Sequence, residues 1–79
     1  MLTEEAVIQV LNGICGAEDG EIAPDMDLFE EGLLDSFGTI QLLTELEERF
    51  GVSLELGDIS REQISTPLKI ARLVEEAGR

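Results

Sequence analysis

Histidine, tryptophan and tyrosine are absent from this 79-residue chain, and cysteine occurs once. The missing histidine removes the commonest general base and the commonest metal ligand. A single cysteine, Cys15, forms no intrachain disulfide and argues against a cysteine metal site. Leu11 and Ile14 beside it point to a small buried side chain rather than a reactive thiol. Aromatics are limited to Phe29, Phe37 and Phe50, which leaves little material for a deep catalytic cleft. Basic residues are scarce as well, 5 against 18 acids, for a formal net charge of −13. Such a field repels nucleic acid and anionic membranes and attracts basic protein surfaces. No stretch has the basic start and apolar run of a signal peptide, nor the ~20 apolar residues of a membrane span. A cytoplasmic monomer is therefore expected, with no nucleic-acid partner and no direct membrane insertion.

What is present is a modest apolar set, 43% of residues, mostly Leu, Ile and Val. A chain of this length suits one domain, 1–79, that buries about 60–65% of the surface it exposes when unfolded. The acids are unevenly spread. Residues 1–50 hold 13 acids and one base, Arg49, whereas residues 51–79 hold 5 acids and 4 bases. Concentration of charge in one half suggests a docking face, beyond its use for solubility.

Periodicity predicts helices. Val7, Val10, Leu11 and Ile14 recur at helical spacing, so residues 2–15 read as the first helix. Thr3 reads as its cap, Leu2 and Val7 as a hydrophobic staple, and Gly16 as its stop. A long connection, 17–35, carries many acids, but Ile22, Met26, Leu28, Phe29, Leu33 and Leu34 would pin it across a bundle. The second helix reads as 36–50, capped by Asp35. Ile40, Leu42, Leu43, Leu46 and Phe50 fall within an apolar arc of about 160°. Phe37 falls outside that arc, either as an exposed aromatic or packed under the preceding loop. Gly51 ends this helix, and an extended connection through Val52, Leu54 and Leu56 follows. Ser60-Arg61-Glu62-Gln63 matches a capping box for a short helix near 58–64. Thr66-Pro67 then opens a last helix near 67–77. The expected fold class is all-α, a small helical bundle with three main helices and one short helix.

The informative stretch runs from Asp25 to Thr39, DMDLFEEGLLDSFGT. Read as a calcium loop from Asp25, it puts Glu30 where glycine is needed and Ser36 where a bidentate glutamate is needed, so it fails. Read as a hydrolase elbow, Leu34-Asp35-Ser36-Phe37-Gly38 lacks the first glycine, and no histidine base exists. A serine at a helix start is most often a cap. Here it follows a cap, and the free backbone N–H groups and dipole of the helix start favour a phosphate on its oxygen. The long preceding loop leaves the hydroxyl reachable, and Gly38 keeps the approach uncluttered.

The run LFEEGLLDSFGTIQLLTELEERFGV resembles the attachment region of acyl and peptidyl carrier proteins, with Gly32, Leu34, Asp35, Ser36 and Phe37 matching their shared core. Within that superfamily the chain is most similar to the D-alanyl carriers, through Gly38-Thr39 and through Asp58 to Ile70 with Arg61 and Thr66-Pro67. One position departs: Ile64 stands where those carriers commonly have tryptophan. The resemblance implies an acyl-carrier-like bundle and a non-enzymatic role. It implies a 4′-phosphopantetheine arm on Ser36, with Asp35 supporting its transfer by helping to position magnesium and the serine. It implies D-alanine held as a thioester for modification of lipoteichoic acid, with fatty-acid, polyketide or other aminoacyl cargo as the alternative. The implied partners are a phosphopantetheinyl transferase, a D-alanine–carrier protein ligase and membrane-bound transfer machinery. Phe37, Ile40, Gln41, Thr44, Glu47 and Glu48 are the candidates for partner contact.

Overall fold

The computed structural model describes residues 3–18 and 20–78. Helix α1 spans Thr3–Cys15, α2 Ser36–Phe50 and α3 Pro67–Ala77. Two short 3₁₀ turns, Leu56–Asp58 and Arg61–Ile64, lie between α2 and α3. The described residues contain no strand, as an all-α bundle requires.

Helix ends follow the local chemistry. Gly16 adopts φ 68°, and the Ala17 N–H reaches the Asn12 carbonyl at 3.0 Å, a six-residue closure of α1. Gly51 (φ 66°) closes α2 with its N–H on the Glu47 carbonyl. Asp35 and Thr66 cap α2 and α3, and Pro67 stands at the start of α3, where no N–H is needed. The capping box at Ser60 and Gln63 is formed, but the turn it opens is 3₁₀ and begins at Arg61. The expected short helix near 58–64 is thus two separate turns, because the box supports one turn and Thr66-Pro67 starts a new element at once. Thr3 is the first residue of α1 rather than its cap. Leu2, the other half of the expected staple, lies outside the described residues.

Helix α1 packs against both α2 and α3. Val7, Leu11, Leu28, Leu42, Leu46 and Ile70 are fully buried where these elements meet. Leu28 comes from the long connection, which backbone hydrogen bonds tie to the rest of the bundle. The Leu28 N–H donates to the Ser65 carbonyl at 2.7 Å, and the Leu68 N–H donates to the Pro24 carbonyl at 3.0 Å. The Leu28 carbonyl in turn accepts from the N–H groups of Leu33 and Leu34. With Ile22, Leu28 and Leu34 buried, the connection belongs to the core, and its last residues deliver the start of α2 in a fixed place.

Candidate functional site

Asp35 sets the geometry of the site. Its Oδ1 accepts from the Gly38 N–H at 2.7 Å, and its carbonyl accepts from both the Thr39 N–H and Thr39 Oγ1 at 2.8 Å. Two of the four first-turn donors are thereby used. The N–H groups of Ser36 and Phe37, the first two helical residues, have no intrahelical acceptor. Ser36 is exposed on this positive helix end, where an anion on its oxygen is favoured. An ionised carboxylate has two accepting oxygens, and the cap uses one of them.

Gly38 acts differently from the sequence expectation. It is buried, and a Cβ there would sit 3.2 Å from Asp35 Oδ1 and 3.3 Å from Leu34 Cδ1. The missing side chain lets the helix start settle onto the loop; it does not clear the approach to Ser36. Thr39 is buried beside it. Counting about 100° per residue, Gly38, Thr39, Leu42, Leu43 and Leu46 form one inward face about 140° wide. Ile40 lies about 60° beyond the edge of that face, and it is 54% exposed. Its expected place in the apolar arc is corrected accordingly: a glycine and a threonine pull the buried face round, and an apolar count ignores both.

Phe37 is 71% exposed, which removes the alternative that it packs under the loop. Ile40, Gln41, Thr44 and Glu48 are exposed with it, on one side of α2. Glu47 stands apart from this group. It is half-buried, and its Oε2 accepts from the Leu54 N–H at 2.9 Å, tying the chain after α2 back onto the helix. Cys15 is half-buried rather than enclosed, and its Sγ donates to the Leu33 carbonyl at 3.0 Å. Burial, and secondarily the charge of Asp35, push its thiol pKa up from the ordinary value. The thiol is thus held neutral behind the site.

An open cleft of about 470 Å³ begins at Ser36. Leu34, Ile40, Ile59 and Ile64 form its apolar wall, and Phe29 and Arg61 line it as well. The Arg61 guanidinium lies 4.2 Å from the centre of the Phe29 ring. Sequence reasoning did not find this pair, since 32 residues separate its members and neither carries a local signal. No group of three or more metal-ligating residues occurs among the described residues.

A reachable hydroxyl on a positive helix end, beside an open cleft, can hold a phosphate-linked group. Comparison with known proteins agrees. The family described as "Phosphopantetheine attachment site" matches residues 5–74. The chain is 43% identical to the D-alanyl carrier protein of Lacticaseibacillus casei over 94% of this chain and 91% of that protein. It is 41% identical to the D-alanyl carrier protein of Enterococcus faecalis over 95% and 96% respectively, and 37% identical to that of Bacillus subtilis over 92% and 94%. The chain belongs to the phosphopantetheine attachment-site family and, within it, to the D-alanyl carrier proteins. Its cofactor is accordingly a covalently attached 4′-phosphopantetheine, and the exposed hydroxyl, the positive helix end and the adjoining cleft fit such a group. No helix among the described residues is long and apolar enough to cross a membrane.

Proposed function

We propose that residues 1–79 act as one carrier domain whose Ser36 Oγ bears the phosphopantetheine arm and which presents D-alanine for lipoteichoic acid D-alanylation. When bound, the arm supplies a terminal thiol that holds the cargo as a thioester. The observation that carries this reading is Ser36 itself, exposed as the first residue of a capped 15-residue helix inside the matched region. Asp35 holds the serine's backbone at the helix start, and its remaining oxygen serves the transferase's magnesium. The carrier needs no chemistry of its own, so a phosphopantetheinyl transferase attaches the arm and a D-alanine ligase loads it. Membrane-bound machinery then takes the D-alanine in the cytoplasm. Phe37, Ile40, Gln41, Thr44 and Glu48 form the face these partners read. Glu47 supports that face through its bond to Leu54.

Attachment is tested by incubating the protein with coenzyme A and a broad-specificity transferase and measuring intact mass. One arm is expected on the parent and on Cys15→Ser, and none on Ser36→Ala. An arm on Ser36→Ala would falsify the assignment. Offering the arm-bearing, unloaded protein D-alanine, L-alanine and fatty acids with their ligases then reads the cargo. Efficient loading by a fatty-acid synthetase, with none by a D-alanine ligase, would turn the reading to the general acyl carriers.

A further inference from the structure

Arg61 is placed unusually for a base in so acidic a chain. Arg49 and Lys69 each face a carboxylate at 4.0 Å, Glu45 and Glu62 respectively. Arg61 and Arg72 have no carboxylate within ion-pair distance among the described residues, and Arg61 instead lies over the Phe29 ring. Stacking on an aromatic face leaves the edge of a guanidinium, with its N–H donors, available to another acceptor. Both members of the pair are held. Arg61 opens the 3₁₀ turn fixed by the Ser60–Gln63 capping box. Phe29 packs against the core, and its N–H donates to Asp27 Oδ1 at 3.1 Å. The pair brings together the loop before α2 and the turn after it, in the lining of the cleft that contains Ser36. Among the described residues that line that cleft, Arg61 is the one cation and Asp35 the one anion.

Resting on the reading that Ser36 carries the arm, we propose that Arg61, held on the Phe29 ring, pairs with the arm's phosphodiester and is the positioning residue that sets the arm's direction from Ser36. Attachment to a serine leaves the phosphate one negative charge and two unesterified oxygens. A guanidinium fork matches two such oxygens better than an ammonium does. The helix end attracts the same charge from the other side. The phosphate is thereby held between two fixed positive groups, and the rest of the arm leaves along the apolar wall of Leu34, Ile59 and Ile64.

The test uses ¹⁵N-labelled protein before and after enzymatic attachment, as parent, Arg61→Gln, Arg61→Lys and Phe29→Leu. Intact mass first establishes that each form carries one arm. Attachment is expected to move the Arg61 Nε–H signal and the backbone amide signals of Ile59 and Ile64. In Arg61→Gln those amide shifts should shrink about two- to five-fold, the population change a partly exposed ion pair supports, and the ³¹P signal of the diester should move. Arg61→Lys and Phe29→Leu should fall between parent and Arg61→Gln, one lacking the fork and the other the platform. Equal attachment shifts in parent and Arg61 variants, or an Arg61 signal indifferent to the arm, overturn the proposal while leaving attachment intact. A parent that gains no mass, or a Ser36→Ala protein that does, overturns the attachment reading instead. Inorganic phosphate titrated into the arm-free protein should barely move the Arg61 signal; a shift as large as the arm's would mark a general anion site and count against a positioning role.

Discussion

The two halves of α2 are built for opposite purposes. Its first turns, Ser36 to Gln41, expose Ser36, Phe37, Ile40 and Gln41 and turn inward only Gly38 and Thr39. Its later turns bury Leu42, Leu43 and Leu46 and use Glu47 to hold the following chain at Leu54. Apolar side chains occur in both halves, so composition does not separate them. What separates them is where each side chain lies relative to the inward face. The first half displays a serine, an aromatic and an isoleucine on a backbone that needs none of them for packing. The second half anchors that display.

The largest expected effect comes from exchanging damage between the halves. Leu46 is fully buried, so Leu46→Ala should cost about 2–5 kcal/mol in urea unfolding. Phe37→Ala, at a 71% exposed position, should change stability by no more than about 0.5 kcal/mol. Its expected deficit is in recognition. Loss of a central interface aromatic commonly costs more than about 1 kcal/mol, so ligase loading of the arm-bearing Phe37→Ala protein should fall roughly tenfold. The preference for D- over L-alanine should not move, because on the proposed reading Phe37 meets the partner and not the cargo. A Phe37→Ala protein loaded as well as the parent removes that residue from the docking face. A Phe37→Ala protein as unstable as Leu46→Ala erases the distinction between the halves.

If Asp35 serves attachment as well as capping, a smaller effect should show it. Asp35→Ala removes the acceptor of the Gly38 N–H and should cost about 0.5–2 kcal/mol, the usual price of a lost N-cap. Attachment to Ser36 should slow at the same time, since the serine's backbone is ordered by the same cap. Asp35→Asn can still accept from Gly38 but carries no charge for magnesium. It should recover most of the stability and little of the rate. Full recovery of the attachment rate in Asp35→Asn, followed by intact mass over time, would confine Asp35 to capping.

How legible these features were depends on whether their cause is local. The ends of α2 and α3 follow from Asp35, Gly51 and Thr66-Pro67, each of which acts within a turn of its own position. The serine's exposure follows from the same local start. The inward face of α2 was misplaced because Gly38 and Thr39 carry no hydrophobic weight, yet both are buried. Glu47 reads as a partner-contact candidate until the chain returns seven positions later to offer the Leu54 N–H. The Arg61–Phe29 pair depends on the path of the whole connection, which is fixed by bonds such as Leu28 N–H to the Ser65 carbonyl. Local chemistry thus marked the ends of elements, and long-range contacts decided which faces turned inward.

The smallest expected effect lies behind the first half of α2, at Cys15. Its thiol donates to the Leu33 carbonyl and so ties the end of α1 to the loop that delivers Ser36. Burial raises its pKa, and the Asp35 charge adds to the rise. A raised pKa means that the folded state favours the protonated thiol. The resulting stability is fully present below the ordinary thiol pKa, about 8.5, and is lost as pH rises through the higher folded value. Cys15→Ser keeps a hydroxyl donor for Leu33 and does not titrate in this range. The urea midpoint of the parent should therefore decline relative to that of Cys15→Ser as pH is raised from 7 toward 10, with the difference between them constant below 8. Other groups titrate equally in both proteins and cancel in the comparison. Parallel profiles across the whole range would mean that the thiol is as free in the folded chain as in the unfolded one, and that the support of the serine's loop comes from Leu28 and Leu34 alone.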